Sequence, residues 1–234
     1  LLQWFPEKLA TIENLNNVPS AISHDVYMHC SYDVSENKHW IKKALNQVIR
    51  RHLLLEGWTD RDVAKLGEYN GKPVMVVLLE HFHSSHSIYR THSTSLIAAR
   101  DHFHLIGVGS DAVDDAGRAV FDEFYLLDGS SIFDKLNKLK SICEKNGAAV
   151  LYMPSIGMDL TTIFASNTRL APVQVIALGH PATTHSDFIE YVIVEDDYVG
   201  SEKCFSEQLL RLPKDALPYV PSALAPQSVE YHLR

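Results

Sequence analysis

The spacing of apolar residues changes character near residue 70. From Leu1 to about Tyr69 it is helical, clearest in Trp40, Ile41, Ala44, Leu45, Val48, Ile49 and Leu53, and Ser35 is placed to cap the start of that helix. Asn70-Gly71-Lys72-Pro73 is a turn signal, and after it the chain alternates short apolar runs with helical stretches. Strands are predicted at Val74–Leu79, Leu105–Val108, Phe124–Leu127, Ala148–Tyr152, Val173–Leu178 and Tyr191–Val194, with helices at about Ser87–Phe103, Ile132–Lys145 and Met158–Asn167 between them. Continuous apolar strands separated by helices predict an α/β fold: a Rossmann-like, doubly wound parallel sheet with helices on both faces, behind an α-helical lead-in. The expected divisions are 1–70 helical, 71–212 sheet-bearing, and 213–234 an extended linker, because prolines recur from Pro213 to Pro226.

In such sheets the ligand crevice lies beyond the carboxyl ends of the strands. That singles out Glu80–Ser87 and Gly179–Ser186, both rich in His, Ser and Thr. Histidine is also the anomaly of the composition: 13 in 234 residues, five of them between His81 and His102. A net charge of −8 with scattered Lys and Arg argues against nucleic acid. No apolar run approaches the roughly 20 residues that span a bilayer, so no membrane partner is expected. The N-terminus lacks the layout of a secretory signal and has no initiator Met, which suggests a start inside a longer polypeptide. Three scattered cysteines, Cys30, Cys143 and Cys204, suit a reducing cytoplasm.

Two motifs compete for the chemistry. Gly107-Val-Gly109-Ser-Asp-Ala112 fits a dinucleotide fingerprint, but Asp111, Asp114 and Asp115 would repel a pyrophosphate where a helix start should attract it, so an acidic surface loop is the better reading. His81-Phe-His83-Ser-Ser-His86 resembles the metal-binding segment of metallo-β-lactamase-like hydrolases. Ser85 stands where those enzymes carry Asp, and no further ligands are found at suitable strand ends, so no metal is expected; a zinc hydrolase using His81, His83 and His86 is kept as an alternative.

Longer stretches carry a resemblance. Leu170-Ala-Pro-Val-Gln-Val-Ile-Ala-Leu-Gly-His-Pro-Ala-Thr-Thr-His185, followed by Phe188-Ile-Glu-Tyr-Val-Ile-Val194, resembles the strand, loop and strand of the O-linked N-acetylglucosamine transferases of glycosyltransferase family 41. Ser85-His-Ser-Ile-Tyr-Arg-Thr-His-Ser93, Ser23-His-Asp-Val-Tyr-Met-His-Cys-Ser-Tyr32 and Tyr191-Val-Ile-Val-Glu-Asp-Asp-Tyr-Val199 are similar to its bacterial branch, cytoplasmic enzymes that add hexose to asparagines of high-molecular-weight adhesins.

The resemblance implies the first lobe of a two-lobed GT-B glycosyltransferase, preceded by the end of a helical domain. Its partners would be a second Rossmann-like lobe, which has no counterpart here, and an acceptor protein with Asn-x-Ser/Thr sites. UDP-glucose or UDP-galactose would be the donor, with no metal or other cofactor. On this resemblance His86 is the candidate catalytic residue; Ser85, Gly179, His180, Thr183, Thr184 and His185 are candidates for substrate or donor binding; His24, Tyr27 and His92 are weaker candidates on the acceptor side. His180 and His185 replace the aromatic residue and glycine of the O-linked relatives, which argues against the larger N-acetylated sugar. O-linked transfer and a non-catalytic peptide-binding module remain alternatives. Glu195, Asp196 and Asp197, which suggest a metal-binding acidic motif, read as a solvated turn.

Overall fold

A computed structural model describes residues 5–16, 18–177, 183–214, 216 and 219–222. Three helices lead in: α1 (Phe5–Ala10), α2 (Ser20–His29) and α3 (Trp40–Leu55). Strands and helices then alternate as β1 (Glu68–Tyr69), β2 (Lys72–Leu79), α4 (Ser87–Ala99), β3 (His104–Gly109), α5 (Asp115–Arg118), β4 (Glu123–Leu126), α6 (Ile132–Asn146), β5 (Val150–Met153), α7 (Leu160–Ala165), β6 (Val173–Ala177), β7 (Tyr191–Glu195) and β8 (Gln208–Leu212).

Seven strands lie in the order β4-β3-β2-β5-β6-β7-β8, all neighbours parallel, while β1 pairs antiparallel with β2. The predicted doubly wound parallel sheet is thus present. Both faces of its strands are apolar because both are covered. Along β2, Val74, Val76 and Leu78 point into one core with α1, α3, α6 and α7; Val77 and Leu79 point into the other with Leu96 of α4 and Val113. The lead-in helices share the first core: Leu9, Ile41, Leu45, Val48 and Ile49 pack there with Leu136 and Leu139 of α6.

Element ends differ from expectation where a side chain competes for the backbone. Ser35 does not cap α3: its N–H donates to Asp33 Oδ1 at 2.7 Å in a turn, and the helix starts five residues later behind His39 without a side-chain cap. Trp40, expected on the apolar face, stays 63% exposed. The helix predicted from Met158 starts at Leu160, because Asp159 Oδ1 accepts from Thr161 N at 2.6 Å and fixes the N-cap. β8 was not anticipated: Gln-Leu-Leu-Arg-Leu is an edge strand with mostly exposed positions and lacks the apolar run of a central one. The 213–234 segment is only partly described, but Val220 N donates to Arg90 O at 2.7 Å and the Arg90 guanidinium lies 4.7 Å from the Tyr219 ring centre, so the chain returns against α4 there.

Candidate functional site

Strand order reverses between β2 and β5, and the crevice of an open α/β sheet forms outside the carboxyl ends at that point. The loop leaving β2 flanks one side; the loop leaving β5, Pro154-Ser-Ile-Gly-Met-Asp159, flanks the other. Glu80, 4% exposed at the end of β2, ties them together. Its Oε1 accepts from Gly157 N at 2.8 Å, Asp159 N at 2.9 Å and Thr162 Oγ1 at 2.5 Å. Gly157 has φ +112°, and a Cβ there would lie 2.7 Å from Met28 Sδ and 3.1 Å from the Tyr27 ring. Gly157→Ala is therefore expected to lower stability by about 1–3 kcal/mol, readable in a urea melt, through backbone strain and the clash with α2.

His86 sits on the same side of the crevice as Glu80's strand. It is the N-cap of α4, with Nδ1 accepting from Ile88 N at 3.3 Å. The ring centres of His81 and His83 lie 5.6 and 5.3 Å from that of His86. Partial burial lowers the His86 pKa below 6.5, with positive potential from His81, His83 and Arg90 adding to the shift, so the ring is neutral at pH 7. With Nδ1 spent as an acceptor, the neutral ring carries its proton on Nε2 and presents a donor. Ser85 is exposed and its Oγ is 2.9 Å from His83 Nδ1. Asp114 steadies the loop: Oδ2 accepts from both Ser84 N and Ser84 Oγ, and Oδ1 from Gly117 N at the start of α5.

The loop after β6 is described from residue 183 onward. Gly179 and His180 lie outside the described residues. Thr183 and Thr184 are fully buried, and their hydroxyls donate to Glu207, Thr183 Oγ1 reaching Oε2 at 2.8 Å and Thr184 Oγ1 reaching Oε1. Both hydroxyls anchor the loop. Lys42 Nζ donates to Thr183 O at 2.7 Å and Asn46 Nδ2 to Thr184 O at 2.9 Å, so α3 holds the same two residues from the other side. His185 follows at φ +52°, half-buried, with a pKa lowered by burial and partly restored by Glu207.

Of the three weaker candidates, two are interior. Tyr27 is 0% exposed with its hydroxyl unpartnered, and burial drives its pKa far above 10, assisted by Glu207, Cys30 and Glu80. His92 is 3% exposed, its Nδ1 3.5 Å from Tyr152 Oη, and burial pushes its pKa down to about 4. His24 is more open: its Nε2 lies 3.3 Å from Met158 O, and with Asp25, Met158, Asp159 and Lys135 it lines a cavity of about 410 Å³.

The dinucleotide-like motif resolves into packing. Gly107 and Gly109 lie in β3, where a Cβ would meet the Phe121 ring at 2.6 Å and Val113 Cγ2 at 2.7 Å; they are glycines for close packing, and Asp114 is the cap of α5. Among the described residues, no three His, Cys, Asp or Glu side chains form a group that could hold a metal ion. Asp196 pairs with Arg211 in the turn after β7.

The family model "HMW1 domain 2" matches residues 1–53. All of this chain aligns at 75% identity with a UDP-glucose:protein N-beta-glucosyltransferase of Actinobacillus pleuropneumoniae serotype 5b (strain L20), and at 74% with that of serotype 7 (strain AP76). The chain spans 38% of the length of these curated relatives. Among solved structures, a mutant of Thermobaculum terrenum O-GlcNAc transferase superposes with a TM-score of 0.58 at 18% identity, over 87% of this chain and 39% of that one, a likeness of fold. Along its whole length the chain is thus similar to two UDP-glucose:protein N-beta-glucosyltransferases, with the HMW1 domain 2 model matched over its first 53 residues, and it carries a Rossmann-like α/β fold.

Proposed function

We propose that this chain supplies part of an inverting, metal-independent UDP-glucose:protein asparagine glucosyltransferase: residues 1–70 the end of its helical domain, 71–212 its acceptor-side lobe, and 213–234 the connection to a second lobe. The observation that carries this reading is end-to-end identity of 75% to relatives named for that reaction, which also favours UDP-glucose over UDP-galactose. The acceptor would be a protein with Asn-x-Ser/Thr sites. The cytoplasm fits a nucleotide-sugar donor and three free cysteines; among the described residues no helix is long and apolar enough to cross a membrane.

In the reaction, the asparagine amide nitrogen bonds to the anomeric carbon of glucose. The bond from that carbon to the diphosphate oxygen breaks with its electron pair, and the amide loses a proton. The chain's contribution is positioning and stabilisation of developing charge. His86 is the residue we assign to contact substrate: a neutral ring fixed by its N-cap bond, with the Nε2 hydrogen available to donate. A base at Nε2 would require the other tautomer and the loss of the Ile88 bond. The His24 cavity is assigned to the acceptor side.

The test is mass spectrometry of an Asn-x-Thr peptide incubated with UDP-glucose and either the isolated chain or a polypeptide that also carries the second lobe. A hexose increment on Asn from the two-lobed polypeptide, and none from the isolated chain, is expected. No increment with UDP-glucose or UDP-galactose would overturn the reading.

A further inference from the structure

Lys42 and Glu207 are buried charges that the reaction itself does not use. Lys42 is 0% exposed and Glu207 7%. Desolvation makes such positions unfavourable unless every polar atom is partnered, and apolar replacements there are often tolerated or stabilising. Elsewhere α3 follows that rule, burying Ile41, Leu45, Val48 and Ile49. Lys42 and Asn46 break it one helical turn apart, and both reach the same target, the carbonyls of Thr183 and Thr184.

Glu207 meets that target from the opposite side, accepting from Thr184 N at 2.8 Å and from both threonine hydroxyls. Ser206 adds its N–H to Thr183 Oγ1 at 3.2 Å. Two residues of the loop are therefore held through both carbonyls, one amide and both hydroxyls by side chains from segments more than a hundred residues apart in sequence. The charges offset each other across the Thr183 peptide, and the Lys42 ammonium also lies 4.8 Å from the Tyr27 ring centre. The next residue, His185, takes the left-handed conformation at φ +52°, which a residue with a Cβ keeps only where its surroundings over-determine it.

We infer that Lys42 and Glu207 form a charged clamp whose task is to position the loop after β6, and His185 above all, at the carboxyl end of the sheet. They are positioning residues, acting through Thr183 and Thr184. The inference rests on the glucosyltransferase reading for its kinetic consequence but on the hydrogen bonds alone for its structural one. The groups facing Lys42 are Cys30 and Tyr27 from the α2 side, Glu207 before β8, and His185 in the loop. Burial lowers the Lys42 pKa to about 7, with Cys30 and Glu207 opposing the fall. Lys42 Nζ carries an N–H that can donate to Thr183 O as ammonium or as neutral amine.

Lys42→Met, Glu207→Gln and the double variant test the clamp in two ways. Amide hydrogen exchange on the chain itself is expected to speed up by about tenfold or more at Thr184 and its neighbours through Ser186, with β2 and β5 unchanged. In the two-lobed enzyme, kcat for peptide glucosylation is expected to fall by about tenfold or more at unchanged KM for the peptide. The double variant should be no worse than the poorer single one, because the two act as a unit. Unchanged exchange at Thr184, or acceleration spread evenly over the sheet, would overturn the clamp. Local acceleration with kcat intact would overturn its role in positioning. No transfer by the wild-type enzyme would instead sink the glucosyltransferase reading, and the exchange result would still decide the clamp.

Discussion

His86→Ala in the two-lobed enzyme is expected to lower kcat for asparagine glucosylation by about 100-fold or more, the scale of losing one well-placed hydrogen-bond donor or proton-transfer group in a transition state. The substitution also removes the N-cap of α4, which by itself costs about 1 kcal/mol of stability. His86→Asn separates the two effects, since asparagine caps a helix as well as any residue but offers no imidazole. Both variants should lose activity to a similar degree while only the alanine variant melts earlier; recovery of activity in His86→Asn would reduce His86 to a cap. The pH dependence follows from the lowered pKa. Because burial, with His81, His83 and Arg90 behind it, holds the ring's pKa below 6.5, the neutral form dominates at pH 7. Activity and the cap's contribution to stability should both hold above pH 6.5 and decline only as acid protonates Nδ1, which ends its role as acceptor for Ile88 N.

The legibility of His86 and the opacity of Thr183 have the same origin. A parallel sheet covered on both faces writes itself as apolar runs, so β2, β3, β5 and β6 could be read directly, and the loop leaving β2 was located by counting to the end of one run. What a loop residue does depends on what reaches it from elsewhere. The threonines after β6 looked like hydroxyls free for a sugar because nothing in their own sequence announces Lys42, Asn46 or Glu207. Tyr27 and His92 resembled site residues by sequence, and the cores behind α2 and α4 then closed over them. The β5 loop escaped notice because its active feature is backbone: the amides of Gly157 and Asp159, which take their direction from Glu80. One signal was available. A lone carboxylate directly after six apolar residues of a buried strand is expensive to place and rarely idle.

That carboxylate gives the largest stability effect expected in the molecule. Glu80→Leu keeps the volume roughly constant but leaves Asp159 N without an acceptor in a dry site and Gly157 N with only its 3.3 Å bond to Thr162 Oγ1, and the loss is expected to be about 2–4 kcal/mol in a urea melt. Glu80→Gln should behave differently, because its amide oxygen can still accept from Gly157, Asp159 and Thr162, and Oε2, the atom it replaces with NH2, has no partner to lose. The comparison is pH-dependent in a fixed direction. Burial raises the Glu80 pKa above its ordinary 4.5 despite the donors from Thr162, Asp159, Ser155 and Gly157. The folded chain therefore binds more protons than the unfolded one between 4.5 and that raised value, and wild-type stability declines as pH rises through this window. Glu80→Gln lacks the titration, so acidification from neutral pH toward 4.5 should favour wild type over the glutamine variant, and alkaline pH the reverse. A gap between the two that stays constant with pH would mean that Glu80 ionises as freely in the fold as outside it, and that the switch-point loops are joined through an open, hydrated carboxylate.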